Sequence, residues 1–111
     1  MKYILVLVTA KDTVQAENIS RVLLQKRLAA CCSIVKDVRS LYLWQGKLED
    51  SREVLLLIKT RQALFKALER AVKAAHSYTT PEIIALPVAA ASPQYLKWIR
   101  DSTVAPGKTA A

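Results

Sequence analysis

Apolar residues gather along the chain in two different rhythms. Residues 3–9 read Tyr-Ile-Leu-Val-Leu-Val-Thr, with Tyr3, Leu5 and Leu7 on one side of an extended strand and Ile4, Val6 and Val8 on the other. Asp12 follows, with Gln15 three residues on, a spacing that resembles a capping box and opens a helix. Ala16, Ile19, Val22 and Leu23 give that helix its apolar stripe, and it ends near Arg27. A second strand is expected from about Ala29 to Trp44, with a bulge at Lys36-Asp37, then a turn at Gln45-Gly46. A third returns over residues 47–59, apolar on both faces from Val54 to Ile58. Thr60 is placed to cap a helix whose stripe is Leu64, Phe65, Leu68, Ala71, Val72 and Ala75. Pro81 discourages helix at Thr80, and Glu82 to Leu86 reads as a fourth strand stopped by Pro87, which suits a sheet edge. Ser92-Pro93 starts a short last helix carrying Tyr95, Leu96, Trp98 and Ile99.

The order is strand, helix, strand, hairpin, strand, helix, strand, then a short helix. This is the ferredoxin-like order, an α+β sandwich of βαββαβ type with a long ribbon between its second and third strands. Right-handed crossovers put both main helices on one face of the sheet. The other face should then be polar, yet the strands are apolar at successive positions. Exposed apolar patches beyond a few hundred Å² are unusual in a monomer. The pattern therefore predicts self-association. One domain over residues 1–103 is expected, with a flexible tail over 104–111.

Composition changes this picture little. The 111 residues are 52% hydrophobic and 23% charged, with a net charge of +8. The basic residues are spread along the chain without a run of three, so the charge reads as a solvated surface and not as a specific nucleic-acid site. No apolar run reaches the length of a membrane helix, and the apolar start reads as a strand rather than an export signal. Cys31 and Cys32 are adjacent and point to opposite faces of a strand, so a disulfide between them is not expected. A reducing cytoplasm is the expected compartment. With Gly46 and Gly107 the only glycines there is no phosphate loop, and no Gly-x-Ser-x-Gly elbow occurs; a conventional enzyme is the less expected reading, with a Cys31–His76 nucleophilic pair as the alternative it would use.

Five stretches, in this order and spacing, resemble one known family: Lys26-Arg27-Leu28-Ala29-Ala30-Cys31; Tyr42-Leu43-Trp44-Gln45-Gly46-Lys47-Leu48-Glu49; Glu53-Val54-Leu55-Leu56-Leu57-Ile58-Lys59-Thr60; His76-Ser77-Tyr78-Thr79-Thr80-Pro81-Glu82-Ile83-Ile84-Ala85-Leu86-Pro87; and Tyr95-Leu96-Lys97-Trp98. Together they are similar to the divalent-cation tolerance proteins, the CutA family, over about residues 3–102. The resemblance implies a homotrimer of ferredoxin-like subunits, architecturally similar to the PII signalling proteins, and a protein that binds or responds to copper or another divalent cation. The alternative is a PII-like sensor or scaffold for a small ligand held between subunits.

The candidate metal ligands are Cys31 and His76. A thiolate is a soft ligand for copper or zinc, although free cysteine is also a common buried hydrophobe. His76, the single histidine, offers an imidazole near the turn into the fourth strand, or else a helix-end residue favoured by the helix dipole. The family's His-Pro-Tyr motif favours a pocket role, but Ser77 replaces the proline. Some relatives carry a cysteine where this chain has Val8, and a second histidine where it has Ala75. One histidine and two adjacent cysteines fall short of four ligands, so a metal site would be shared between subunits or weak. The resemblance also implies a cleft between subunits with Lys59 for an anion, Tyr78, and Glu82 for hydrogen bonds or a cation. Tyr42 and Trp44 are expected at the oligomer interface.

Overall fold

A computed structural model describes residues 2–105. Its elements are β1 (Tyr3–Ala10), α1 (Thr13–Gln25), β2 (Cys31–Trp44), β3 (Lys47–Arg61), a 3₁₀ turn (Gln62–Leu64), α2 (Phe65–Ala75), β4 (Ile83–Pro87) and α3 (Pro93–Ser102). The four strands form one sheet in the order β2-β3-β1-β4, antiparallel at every pairing. β4 lies on an edge, where Pro87 opposes Ile4 and its missing N–H costs the sheet no ladder bond.

Alternation along the strands sorts the core. Ile4, Val6 and Val8 of β1 and Val54, Leu56 and Ile58 of β3 are buried beneath α1 and α2. The helices supply Ala16, Ile19 and Leu23 from one stripe, and Leu68, Ala71 and Val72 from the other. α1 starts as its sequence indicates: Asp12 Oδ1 accepts the Gln15 N–H at 2.8 Å. The reciprocal bond shifts by one residue, because Gln15 Oε1 accepts from Lys11 N at 3.1 Å. At the other end Leu28 N donates to Leu23 O, and Arg27 takes the left-handed conformation with φ 56°.

The bulge falls at the expected place, between Val35 and Val38, with Asp37 at φ 60°. The hairpin turn has φ 51° at Gln45 and φ 79° at Gly46, as a two-residue primed turn requires. Three expectations change. β2 begins at Cys31 rather than Ala29, although Ala30 N already donates to Lys59 O. β3 runs on to Arg61, so Thr60 is a buried strand residue whose hydroxyl donates to Leu28 O at 2.7 Å instead of capping a helix. Ser92 holds the N-cap position of α3 without a side-chain bond.

α3 is fastened by buried Arg61, whose guanidinium donates to Thr103 Oγ1 at 2.9 Å and to the carbonyls of Thr103 and Val104. Arg27 donates to the carbonyls of Asp101 and Ser102 at the same end. Val104, expected at the start of a loose tail, is thus tied down, and its own N–H donates to Arg27 O. Residues 106–111 of that tail lie outside the described residues.

The face of the sheet opposite α1 and α2 carries Leu5, Leu7, Leu55 and Leu57, all partly exposed, with Ile84 and Leu86 of β4. Beyond the bulge, the opposite face of the ribbon carries Leu41, Leu43 and Leu48 at 60–73% exposure.

Candidate functional site

At the bulged end of the sheet the ribbon curls over the loop that joins α2 to β4. The two enclose a cleft of about 710 Å³ lined by Tyr42, Trp44, Glu49, Glu53, Tyr78 and Glu82, with hydroxyls from Thr9, Ser40, Ser77, Thr79 and Thr80. Strand register explains the grouping. Glu49, Ser51 and Glu53 share the face of β3 that continues Leu55 and Leu57, and Tyr42 stands opposite Glu49 across the ribbon. Its three charged lining residues are all glutamates, in a chain of net charge +8.

Glu53 sits at the base. It is 7% exposed, and its Oε2 accepts the Tyr78 hydroxyl at 2.9 Å. Among the described residues no lysine or arginine pairs with it. A buried carboxylate without a counter-ion is costly, and a cation nearby relieves that cost. Glu82 responds to the same environment. Partial burial, and then the negative charge of Glu53, push its pKa above the ordinary carboxylate value. Burial and the Glu53 carboxylate likewise raise the Tyr78 phenol, which stays a proton donor.

His76 holds the cleft's lid loop in place. It follows α2 in an extended conformation. Its Nδ1 accepts the Tyr78 N–H at 3.0 Å, and its Nε2 lies 2.6 Å from Thr9 O. The two bonds assign the Nε2–H tautomer. Its ring packs on Tyr78 with centroids 4.5 Å apart. Both ring nitrogens are therefore engaged in holding Tyr78 over the cleft. Ser77 joins in from the other side, accepting from Gln15 Nε2 at 2.8 Å, so the start of α1 also braces the loop.

The structure brings Tyr78, Glu82, Tyr42 and Trp44 together and leaves two of the expected site residues elsewhere. Lys59 does not line the cleft; it stands beside Cys31 on β2, its Nζ donating to Ser33 Oγ at 2.6 Å and lying 3.7 Å from Cys31 Sγ. Lys59 pairs in register with Cys31, whereas Thr9, which holds His76, pairs with Leu55. Four residues of β3 separate these positions, about 13 Å. Cys31 and His76 thus do not share a ligand sphere within one chain. Glu53 was not singled out by sequence reasoning. Its signal is a charge at the start of a strand apolar on both faces, at a register position facing the uncovered side.

The two thiols differ sharply. Cys32 lies on the core face opposite Ile58, packed against the buried cluster. Burial pushes its pKa up to about 11, and the negative charge of Cys31 adds to this. Titration with a disulfide reagent at pH 8 should therefore modify Cys31 readily and leave Cys32 thiol-protonated and unreacted in the native protein. The same raised value stabilises the fold below the unfolded thiol's pKa of 9.0, a contribution lost as pH rises towards 11. Fast labelling of both cysteines in native protein at pH 8 would contradict this assignment.

Comparison with known proteins bears on the same residues. The sequence profile of the CutA1 divalent ion tolerance protein matches residues 4–102. The divalent-cation tolerance protein CutA of Thermus thermophilus is 45% identical over 98 residues, 88% of this chain and 95% of that one. A solved structure of the Thermus thermophilus divalent cation tolerance protein superimposes with a TM-score of 0.90 at 43% identity, over 92% of this chain and 99% of that one. The periplasmic divalent cation tolerance protein CutA of Archaeoglobus fulgidus gives a TM-score of 0.88 at 38% identity, over 90% and 97%. Against several plant and mammalian relatives the chain spans only a little over half their length. With a profile match across nearly all of its length and this agreement of fold, the chain belongs to the CutA1 divalent ion tolerance family.

Proposed function

We propose that this protein is a ferredoxin-like homotrimer that binds a divalent cation in the cleft beneath Tyr78, and that a neighbouring subunit completes the site. The observation that carries the reading is Glu53, a buried carboxylate with no cationic partner among the described residues. Carboxylate, phenol and hydroxyl oxygens suit a hard divalent ion. Within one chain the set is incomplete: no three His, Cys, Asp or Glu side chains among the described residues group closely enough to hold a metal. The uncovered leucines of the sheet, continuous with the cleft, supply a surface on which a second and third copy would pack, with Tyr42 and Trp44 at the boundary. Copper, a softer ion, would look instead to Cys31. A phosphate-bearing ligand of the PII kind is less well served, because Lys59 lies outside the cleft. The two free thiols favour a reducing cytoplasm, although the Archaeoglobus relative is named as periplasmic.

Calorimetric titration of zinc, manganese and copper into the reduced protein tests the reading. Glu53→Gln should weaken binding of the hard ion about tenfold or more, the scale of a charge-assisted contact. Affinity should also fall on acidification, beginning above the ordinary carboxylate range, since Glu82 takes up its proton early. Equal affinity in Glu53→Gln and in the unsubstituted protein would sink the carboxylate site. Loss confined to Cys31→Ser or His76→Ala would move the site to the other end of the sheet or to the loop.

A further inference from the structure

A second hollow lies at the other end of β1 from the glutamate cleft. Its volume is about 870 Å³, within the range of small-molecule pockets. The start of β1, the 3₁₀ turn, the first residues of α2, the end of β4 and the segment leading into α3 supply its lining. Strand pairing explains why it stays open. Ala85 and Pro87 stand opposite Val6 and Ile4, and so share the face of the sheet that carries the helices. The helices pack over β1 and β3, whereas β4 is an edge strand and these two residues remain exposed. Backbone bonds hold the walls in place without a ligand. Gln62 N donates to Lys2 O and Val88 N to Tyr3 O, each at 3.0 Å. None of the open-face leucines, and neither Tyr42 nor Trp44, lines this hollow, so it stands apart from the surface on which further copies are proposed to pack.

The chemistry of the lining is one-sided. Ile4 is 4% exposed and Phe65, Val88 and Leu96 are half-buried, which makes an apolar floor. The charges are Lys2 and Lys66, both exposed, and no carboxylate lines the hollow. Lys2 has no acidic partner among the described residues. Lys66 lies 3.9 Å from Glu69 with its side chain 83% exposed, a long and solvated contact that leaves its charge available. Tyr3 and Gln62 complete the polar side chains of the lining. A sugar or a nucleotide would leave hydroxyls or base edges unpaired against this apolar floor. An aliphatic carboxylate needs one cationic contact and an apolar bed, which is what the hollow offers.

We propose that this hollow binds a medium-chain fatty acid as the free monomer, with the carboxylate at Lys2 and Lys66 and the chain across Ile4, Phe65 and Leu96. The site shares no lining residue with the cation cleft and stands or falls independently of it.

The test titrates decanoate, below its micelle concentration, into the full chain by calorimetry. Decanol and decyltrimethylammonium are the neutral and cationic counterparts. Decanoate should bind, decanol about tenfold more weakly, and the ammonium not at all. Lys2→Gln combined with Lys66→Gln should bring decanoate down to the decanol value. Both positions are exposed, so the fold is retained. Lys73→Gln, also exposed on α2 but outside the lining, should change nothing. Equal affinity for decanoate and decanol, or undiminished decanoate binding in the double variant, would reduce the effect to non-specific apolar contact and overturn the proposal. Retention on phosphatidylglycerol vesicles with no binding of monomeric decanoate would overturn it in favour of a membrane surface. Binding seen only in a monomeric variant such as Ile84→Asp would mean that a neighbouring copy covers the hollow in the assembled protein, and would overturn it as well.

Discussion

Ile84→Asp should convert the proposed trimer to monomers at micromolar concentration, seen as a fall in sedimentation coefficient with the far-ultraviolet circular dichroism retained. Ile84 sits on β4 opposite Leu7, on the face away from α1 and α2, and is 49% exposed in the single chain. An aspartate there still reaches water when the subunit is alone, so the fold itself has little to lose. In the proposed trimer the same carboxylate would be enclosed against a neighbour's leucines with no counter-ion. An uncompensated buried charge costs about 3–5 kcal/mol. A closed ring repeats the cost at every interface, since every copy carries the change. Val14→Asp supplies the control. Val14 is 74% exposed on α1, which lies on the other face of the sheet. It should leave the sedimentation unchanged. A trimer that survives Ile84→Asp, or a monomer in the unsubstituted protein, would contradict the proposed packing.

The second large effect is internal. Leu68→Ala should lower the unfolding free energy by about 2–5 kcal/mol, measured as a reduced denaturation midpoint with unchanged slope. Leu68 is 0% exposed and belongs to the α2 stripe packed on the sheet. Truncation removes apolar contact from the buried cluster to which Leu68 belongs, and the close-packed interior closes such a gap only in part. A domain of this size has total stability on the order of 5–15 kcal/mol, so the loss is a large share of it. If the proposed trimer holds, stability depends on concentration, and both proteins need the same subunit concentration for the comparison. A loss below about 1 kcal/mol would mean that the helix is not clamped as its burial indicates.

Much of the fold is legible because its signals are local. Asp12 caps α1, the bulge falls at Lys36-Asp37, and Pro87 lies at an edge, each from rules that act over a few residues. Thr60 shows where such rules stop. A threonine before a helix looks like a cap, but the pairing of β1 with β3 extends through Tyr3 and Arg61 and draws Thr60 into the strand. The site was legible in part. Tyr78, Glu82, Tyr42 and Trp44 do gather in one cleft. Lys59 stands outside this single-chain cleft because side-chain alternation and register put it beside Cys31, a consequence of which residues face each other across β2 and β3.

The sequence by itself determined the element order, the two helical stripes, the apolar character of both sheet faces and membership of a family. The first three follow from periodicity, capping and spacing, which are properties of neighbours along the chain, and the family follows from the likeness of five motif stretches and the profile match over residues 4–102. The tertiary structure decided what meets across the chain. It put the His76 ring between Thr9 and Tyr78, sixty-seven and two residues away. It buried Glu53 under Tyr78 without a counter-ion among the described residues and curled the ribbon so that three glutamates and three aromatic rings share one cleft. Such meetings depend on register and on the bulge that bends β2. A shift of one residue in either would turn the same side chains to the opposite face.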